Sequence, residues 1–322
     1  MTGPTSRADE APERRVSAVL GVALTLVLAA CTNASPTGSR ASAPTTPTWH
    51  VVWSDDFDGA AGTGLSSEDW IYSKGIGYPG GAQNWGTGEI ETMTDNVTNV
   101  YHDGAGHLAI RPSRTGSGVG RWTSGRVETR RSDFAAPPGG AVRVEASLKL
   151  PPVTGAEAAG FWSAFWALGA PARPVGATNW PHIGEWDVME NVNGRDSVWH
   201  TLHCGTPVGG PCGETTGISS GELPCPGCRT AFHTFAVEYH REVSPEELRW
   251  YVDERNTFTV RADRVDQATW AAATQHGFFI ILNVAMGGAF PASFGGGPTP
   301  ATKSGGAMLV DRVAVYTRAG SR

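Results

Sequence analysis

Three carboxylates crowd into the stretch GEWDVMENVNG, residues 184–194: Glu185, Asp187 and Glu190. Neighbouring carboxyls can divide labour, one staying ionised while the other holds a proton to give away. Between them stand Trp, Val and Met, a lining that suits a cleft floor over a packed core better than a solvated edge strand. Alternation is the obstacle. On a regular strand Glu185 and Asp187 share a face, while Glu190, five residues beyond Glu185, points the other way. A β-bulge over Val188 and Met189 would insert one residue and return Glu190 to the first face.

With that bulge, the trio presents a carboxyl pair of the kind that cleaves glycosidic bonds with retention, which stands about 5–5.5 Å apart. Asp187 would hydrogen-bond the nucleophile and help separate the two pKa values. The residues alone leave a structural or calcium-binding acidic cluster equally open. Other motif matches carry no chemistry. GIGYPG (75–80) fits a dinucleotide-loop pattern but lacks the strand before it and the helix after it. GISSG (217–221) fits a nucleophile-elbow pattern but lies in a polar loop between cysteines. No HExxH occurs, and no histidine pair has metal-ligand spacing.

Positioning such a site calls for strands. AVRVEASLKL alternates with period two: Val142, Val144, Ala146, Leu148 and Leu150 fall on one face, Arg143, Glu145, Ser147 and Lys149 on the other. TFAVEYHR and LRWYVDE repeat the pattern around a turn at Ser244-Pro245. GFFIILNVAMGG is continuously apolar and reads as a central strand covered on both faces, and MLVDRVAVYTR as the last strand. VDQATWAAA (265–273) is the one helix expected. With 42 glycines and 22 prolines in 322 residues and no internal repeat, many strands joined by glycine-rich loops predict an all-β jelly-roll sandwich of two antiparallel sheets.

Composition narrows the partners. A net charge of −6 with no basic cluster argues against nucleic acid. Twelve tryptophans suit sugar rings, although core and sheet packing accounts for more than half of them. Residues 1–31 read as an export signal, with Arg14 and Arg15 ahead of an apolar run too short for an ordinary spanning helix. Leu28-Ala29-Ala30-Cys31 resembles a bacterial lipobox, making Cys31 a lipidation site; a plain secretory signal cleaved nearby is the alternative. Residues 32–48, rich in Ser, Thr, Pro and Ala, read as a disordered tether, and residues 49–322 as the catalytic domain. The chain is therefore expected to be exported, either secreted or a cell-surface lipoprotein that meets the membrane only through its lipid, and to be monomeric. In that compartment Cys204, Cys212, Cys225 and Cys228 imply two disulfides, with the local pairing 204–212 and 225–228 preferred over a redox or zinc role for CPGC.

ExDxxE on a strand preceded by WPHIG resembles the active-site signature of glycoside hydrolase family 16, in its bulged, laminarinase-like branch. WSDDFDG (53–59), GTGEIETMTDNVTNVYHDGAGHLAIRP (86–112), TSGRVETR, GFWSAFWALG, TLHCG, FHTFAVEYH, FFIILNVAMGG and MLVDRVAVY follow in family order, so the likeness covers nearly the whole domain from about residue 50. The resemblance implies a cleft across a concave sheet and an endo-acting, retaining mechanism on β-1,3- or mixed β-1,3/1,4-glucans. Glu185 would be the nucleophile, Asp187 its helper and Glu190 the acid/base, with His203 beside the acid/base. It further implies polysaccharide contacts from Trp162, Trp166, Trp180, Trp85, Asn84, Glu89, Arg126 and Asn283. No cofactor is required for catalysis; a structural calcium is implied at Asp56, Asp311 and the carbonyl near Gly106. A galactan hydrolase or a transglycosylase of the same family are the alternatives, with a non-catalytic glucan-binding protein behind them. Two departures stand out: Phe290 and Ala292 at a cleft end where relatives more often have Trp and Gly, and the bulky Trp186 between the first Glu and the Asp, which should point into the sandwich.

Overall fold

The strand Ala141–Lys149 shows how the sandwich forms. Its residues Val142, Val144, Ala146 and Leu148 enter the core between the sheets, as their alternation predicts. It sits at the centre of a computed structural model that describes residues 48–320. The export segment, Cys31 and the tether up to residue 47 lie outside the described residues.

Two antiparallel sheets of eight strands each make the sandwich. The first runs in the order Arg255–Arg261, Glu247–Val252, His233–His240, Ala141–Lys149, Met308–Arg318, Leu108–Ile110 and Val100–His102, with His50–Asp55 also paired to Met308–Arg318. In the second the order is Ile218–Ser219, Ser197–His203, Glu185–Val192, Phe161–Gly169, Phe278–Met286, Arg126–Thr129 and Trp70–Tyr72, and Leu223–Pro224 pairs with Ser197–His203. This is the predicted jelly-roll sandwich, joined by a small sheet of Glu91–Met93, Arg121–Ser124 and Ser113–Thr115 that the sequence reading lacked.

Phe278–Met286 is buried throughout, and its two faces serve different layers. Phe278, Ile280, Leu282, Val284 and Met286 join the main core, while Phe279 and Ile281 join a separate cluster with Leu168, Ala172 and Ile183. Trp186 points into the sandwich as expected, stacked on Phe278 at 3.8 Å between ring centroids, and its indole N–H donates to the Ala273 carbonyl (3.2 Å). Such a pair adds about 0.5–1.5 kcal/mol beyond its area burial. The helix Gln267–Thr274 supplies that carbonyl and is capped by Asp266, whose carboxylate accepts from the Thr269 N–H. A second short helix, Ala289–Ser293, was not foreseen: Gly287-Gly288 and Pro291 disguise it. The cysteines pair as 204–212 and 225–228, the preferred local connectivity.

Candidate active site

The catalytic-strand candidate Glu185–Val192 lies between Phe161–Gly169 and Ser197–His203. Toward the first neighbour, Asp187 pairs with Trp166 and Met189 with Phe165, which leaves Val188 without a partner. Toward the second, Asp187 pairs with Thr201 and Glu190 with Trp199, three steps against two. One extra residue therefore sits on this strand, and consecutive Val188 and Met189 both reach the core. The bulge returns Glu190 to the face of Glu185 and Asp187. Entry to the strand depends on Gly184, where φ is 74° and a Cβ would collide with the Ala273 carbonyl.

Core groups hold the bulge in place. The carbonyl of Asp187 accepts from the Trp250 indole N–H (2.9 Å), and that of Val188 from His200 Nδ1 (2.7 Å). His200 is fully buried, and burial pushes its pKa down to about 4, so its ring is neutral; its other nitrogen meets the Thr257 hydroxyl at 3.0 Å.

On the working face, Asp187 and Glu190 are buried and Glu185 is half-buried. Burial, reinforced by the charge of Asp187, lifts the Glu185 carboxyl to about 8, against the opposing pull of His203 and Arg126. The same two causes hold Glu190 well above the carboxylate range, opposed by His203 and by the Trp162 indole N–H, which donates to Glu190 Oε1 (2.9 Å). A dry cleft cannot accommodate three neighbouring negative charges. The charge of Arg126 acts on Glu185, which favours leaving the shared proton on Glu190.

His203 stands across the strand pair from Glu185, with Nε2 3.2 Å from Asp187 Oδ2 and 3.9 Å from Glu185 Oε1. The register pairs His203 with Glu185, and its charge also acts on Glu190. Asp187 Oδ2 has no well-directed hydrogen-bond partner, although His203 Nε2 lies 3.2 Å away. One carboxylate oxygen from each of Glu185 and Asp187 and a ring nitrogen of His203 lie within 4.8 Å of one another. The neighbouring carboxylates of Asp187 and Glu214 outweigh burial and raise the His203 pKa well above its ordinary value, so the imidazole carries a positive charge into the trio.

The aromatic candidates surround this centre. Trp166 donates its indole N–H to Asn283 Oδ1 (2.8 Å), and Trp180 lies 5.4 Å from the His203 ring. Arg126, buried, has its guanidinium 4.3 Å from the Trp85 ring, 4.7 Å from that of Trp166 and 5.1 Å from that of Tyr78. Asn84 holds its own loop, donating to the Glu89 carbonyl (2.7 Å), while the buried Glu89 side chain accepts from the Thr87 hydroxyl (2.7 Å). Near Glu190, Trp162 meets Phe290 edge-on at 5.7 Å, and Trp199 packs against both Phe290 and Phe294. Sequence reasoning missed Trp199, His200, Glu214 and Trp250; all but Glu214 lie in alternating segments that could have revealed them. Far from this face, Asp56 Oδ1 lies 3.1 Å from the Arg312 guanidinium, and Asp311 is exposed at an irregularity between Val310 and Arg312.

A scan against models of known protein families returns no match. Individual proteins do match. An endo-1,3-β-glucanase structure from Streptomyces sioyaensis is 54% identical, with a TM-score of 0.81, covering 86% of this chain and 99% of that one. A β-glucanase from Rhodothermus marinus is 31% identical over 284 residues, 84% of this chain and 86% of its own length. An endo-β-1,3-glucanase structure from Pyrococcus furiosus is 30% identical, with a TM-score of 0.67, covering 84% of this chain and 95% of that one. The chain belongs to glycoside hydrolase family 16. It is an O-glycosyl hydrolase of the laminarinase-like branch, whose bulged acidic strand is the feature described above.

Proposed function

We propose that this hydrolase cleaves β-1,3-glucans, or mixed β-1,3/1,4-glucans, within the chain and with retention at the anomeric carbon. Glu190 protonates the leaving glycosidic oxygen while Glu185 attacks the anomeric carbon to form a glycosyl-enzyme. Glu190, now ionised, takes a proton from the incoming water, whose oxygen displaces Glu185. Protonated His203, faced by Asp187, stabilises the charge of Glu185, and the cleft tryptophans with Asn84, Glu89, Arg126 and Asn283 receive the sugar rings. The observation carrying this reading is the bulge at Val188, which lets Glu185 and Glu190 meet one substrate. Relatives described as endo-1,3-β-glucanases support the substrate class.

The test is direct. Glu185→Ala and Glu190→Ala should each lose hydrolysis while folding normally, and azide should rescue Glu190→Ala to a glycosyl azide of retained configuration. Substantial activity in both variants would overturn the assignment. Product analysis on laminarin, curdlan, barley glucan, lichenan and agarose separates the linkages; cleavage of agarose alone would overturn the glucan reading.

We further propose export as a monomer, secreted or anchored through lipidated Cys31. A structural calcium would be held by Asp56, Asp311 and the carbonyl near Gly106. The donors are all oxygen, which suits a hard cation, but Arg312 already neutralises Asp56 and would have to yield. A fall in Tm on chelation, restored by calcium, is the expected result.

A further inference from the structure

Glu214 lies outside every motif above, in the segment GGPCGETTG between the disulfide cysteines and the next short strand. Its side chain is nevertheless completely buried. A carboxylate without water needs fixed partners, and Glu214 has two. One oxygen accepts the Cys204 backbone N–H (2.9 Å), and the other lies 2.8 Å from His203 Nδ1. The loop is built to deliver it: Cys204–Cys212 closes the segment, and Gly209 and Glu214 bridge each other through their backbones. Room is left for the contact at Gly217, where φ is 70° and a Cβ would crowd His203 Nδ1.

We propose that Glu214 is a positioning residue that, through His203, orients and charges the imidazole facing Asp187 and Glu185. A carboxylate accepts only, so Nδ1 must carry a hydrogen, and Nε2 is then the nitrogen on the side of Asp187 Oδ2 (3.2 Å) and Glu185 Oε1 (3.9 Å). The result is a carboxylate–imidazole–carboxylate chain running from the disulfide loop to the nucleophile. Glu185, Asp187 and Glu214 face the imidazole, the Trp180 ring lies beside it, Glu190 feels its charge, and Arg126 acts on Glu185. Loss of the Glu214 charge lets His203 release its proton at lower pH, and the trio then loses its central cation.

This role rests on Glu185 acting as nucleophile, and the experiment has one arm for each claim. Glu214→Gln keeps the shape and the acceptor for the Cys204 N–H but removes the charge. The His203 cation holds the Glu185 and Glu190 carboxyls down. Expected are therefore a roughly tenfold fall in kcat with KM within about twofold, and both limbs of kcat/KM moved to higher pH. Nitrogen NMR of the wild-type imidazole should show Nδ1 protonated at pH 7 and the ring titrating at lower pH in Glu214→Gln. This reading does not depend on hydrolysis, so it stands or falls separately from the role of Glu185. An unprotonated Nδ1 in the wild type, or a folded Glu214→Gln enzyme with unchanged kcat and limbs, would overturn the proposal. Should Glu214→Gln fail to fold, the wild-type spectrum alone decides.

Discussion

The Val188 carbonyl, at the residue that lacks a cross-strand partner, accepts a hydrogen bond from Nδ1 of buried His200 at 2.7 Å. A bulge releases backbone groups from the ladder, and a buried carbonyl left unpaired costs about 1–3 kcal/mol. His200 and Trp250 satisfy two such carbonyls from the core side, so the parity shift that unites the carboxylates is secured by residues that never touch substrate.

His200→Leu should therefore lower kcat about tenfold or more while the trio remains chemically intact, and should lower stability by about 1–3 kcal/mol. His200→Asn, which can still donate, should recover part of both. Wild-type stability should also carry an acid component. Because the folded-state pKa is depressed to about 4 from an ordinary 6.5, the contribution is full above pH 6.5 and is lost as pH falls through 4. Denaturant unfolding across that window, compared between wild type and His200→Asn, measures it.

Much of this arrangement is legible in the amino-acid sequence. Strand parity exposed the conflict between Asp187 and Glu190 and marked Val188 and Met189 as the place where a bulge would resolve it. Spacing alone left a structural or calcium-binding acidic cluster equally open. Period two placed Val142 to Leu148 in the core because a half-buried strand must alternate. The opposite face of that strand reads as solvent-facing, yet Arg143 is buried there, tied to Glu145, Glu238 and Glu254. Alternation reports which face a side chain takes, not what covers it. Glu214 was hidden for a related reason: a loop has no period, and its carboxylate acquires meaning only where the disulfide brings it to His203. His203 itself was recognised, but cross-strand register, which sequence does not display, put it opposite Glu185.

The pH dependence of kcat/KM should sit high for a carboxylate pair. The acid limb reports ionisation of Glu185, which burial and Asp187 lift from 4.5 toward about 8, and the basic limb reports loss of the Glu190 proton. Arg126 opposes that lift, so Arg126→Met should move the acid limb upward by about half a unit to one unit. An acid limb left at the ordinary carboxylate position in both enzymes would contradict the assignment of Glu185.

Glu185→Gln should stabilise the fold as it removes activity. A carboxyl whose folded pKa lies above its unfolded value contributes fully below pH 4.5, and that contribution is lost as pH rises through about 8. Glutamine has no such loss. The Tm advantage of Glu185→Gln should be small at pH 4.5 and grow toward pH 8, at about 2–4 °C per kcal/mol for a domain of this size. A pH-independent difference would mean that the carboxyl is ionised at little cost.

Trp162→Phe isolates the one indole N–H that reaches Glu190. Phenylalanine keeps an aromatic ring in place of the one that meets Phe290 edge-on, but no donor remains for Glu190 Oε1. That bond favours the ionised carboxylate, so its loss should raise the Glu190 pKa further and carry the basic limb of kcat/KM upward. Trapping of the glycosyl-enzyme should increase as well, because Glu190 must be ionised to take the proton from water. The expected fall in kcat at neutral pH is about tenfold, with KM little changed. Trp162→Ala, which also removes the ring, should raise KM in addition. A basic limb that stays in place in Trp162→Phe would show that this hydrogen bond serves the fold and leaves the acid/base untouched.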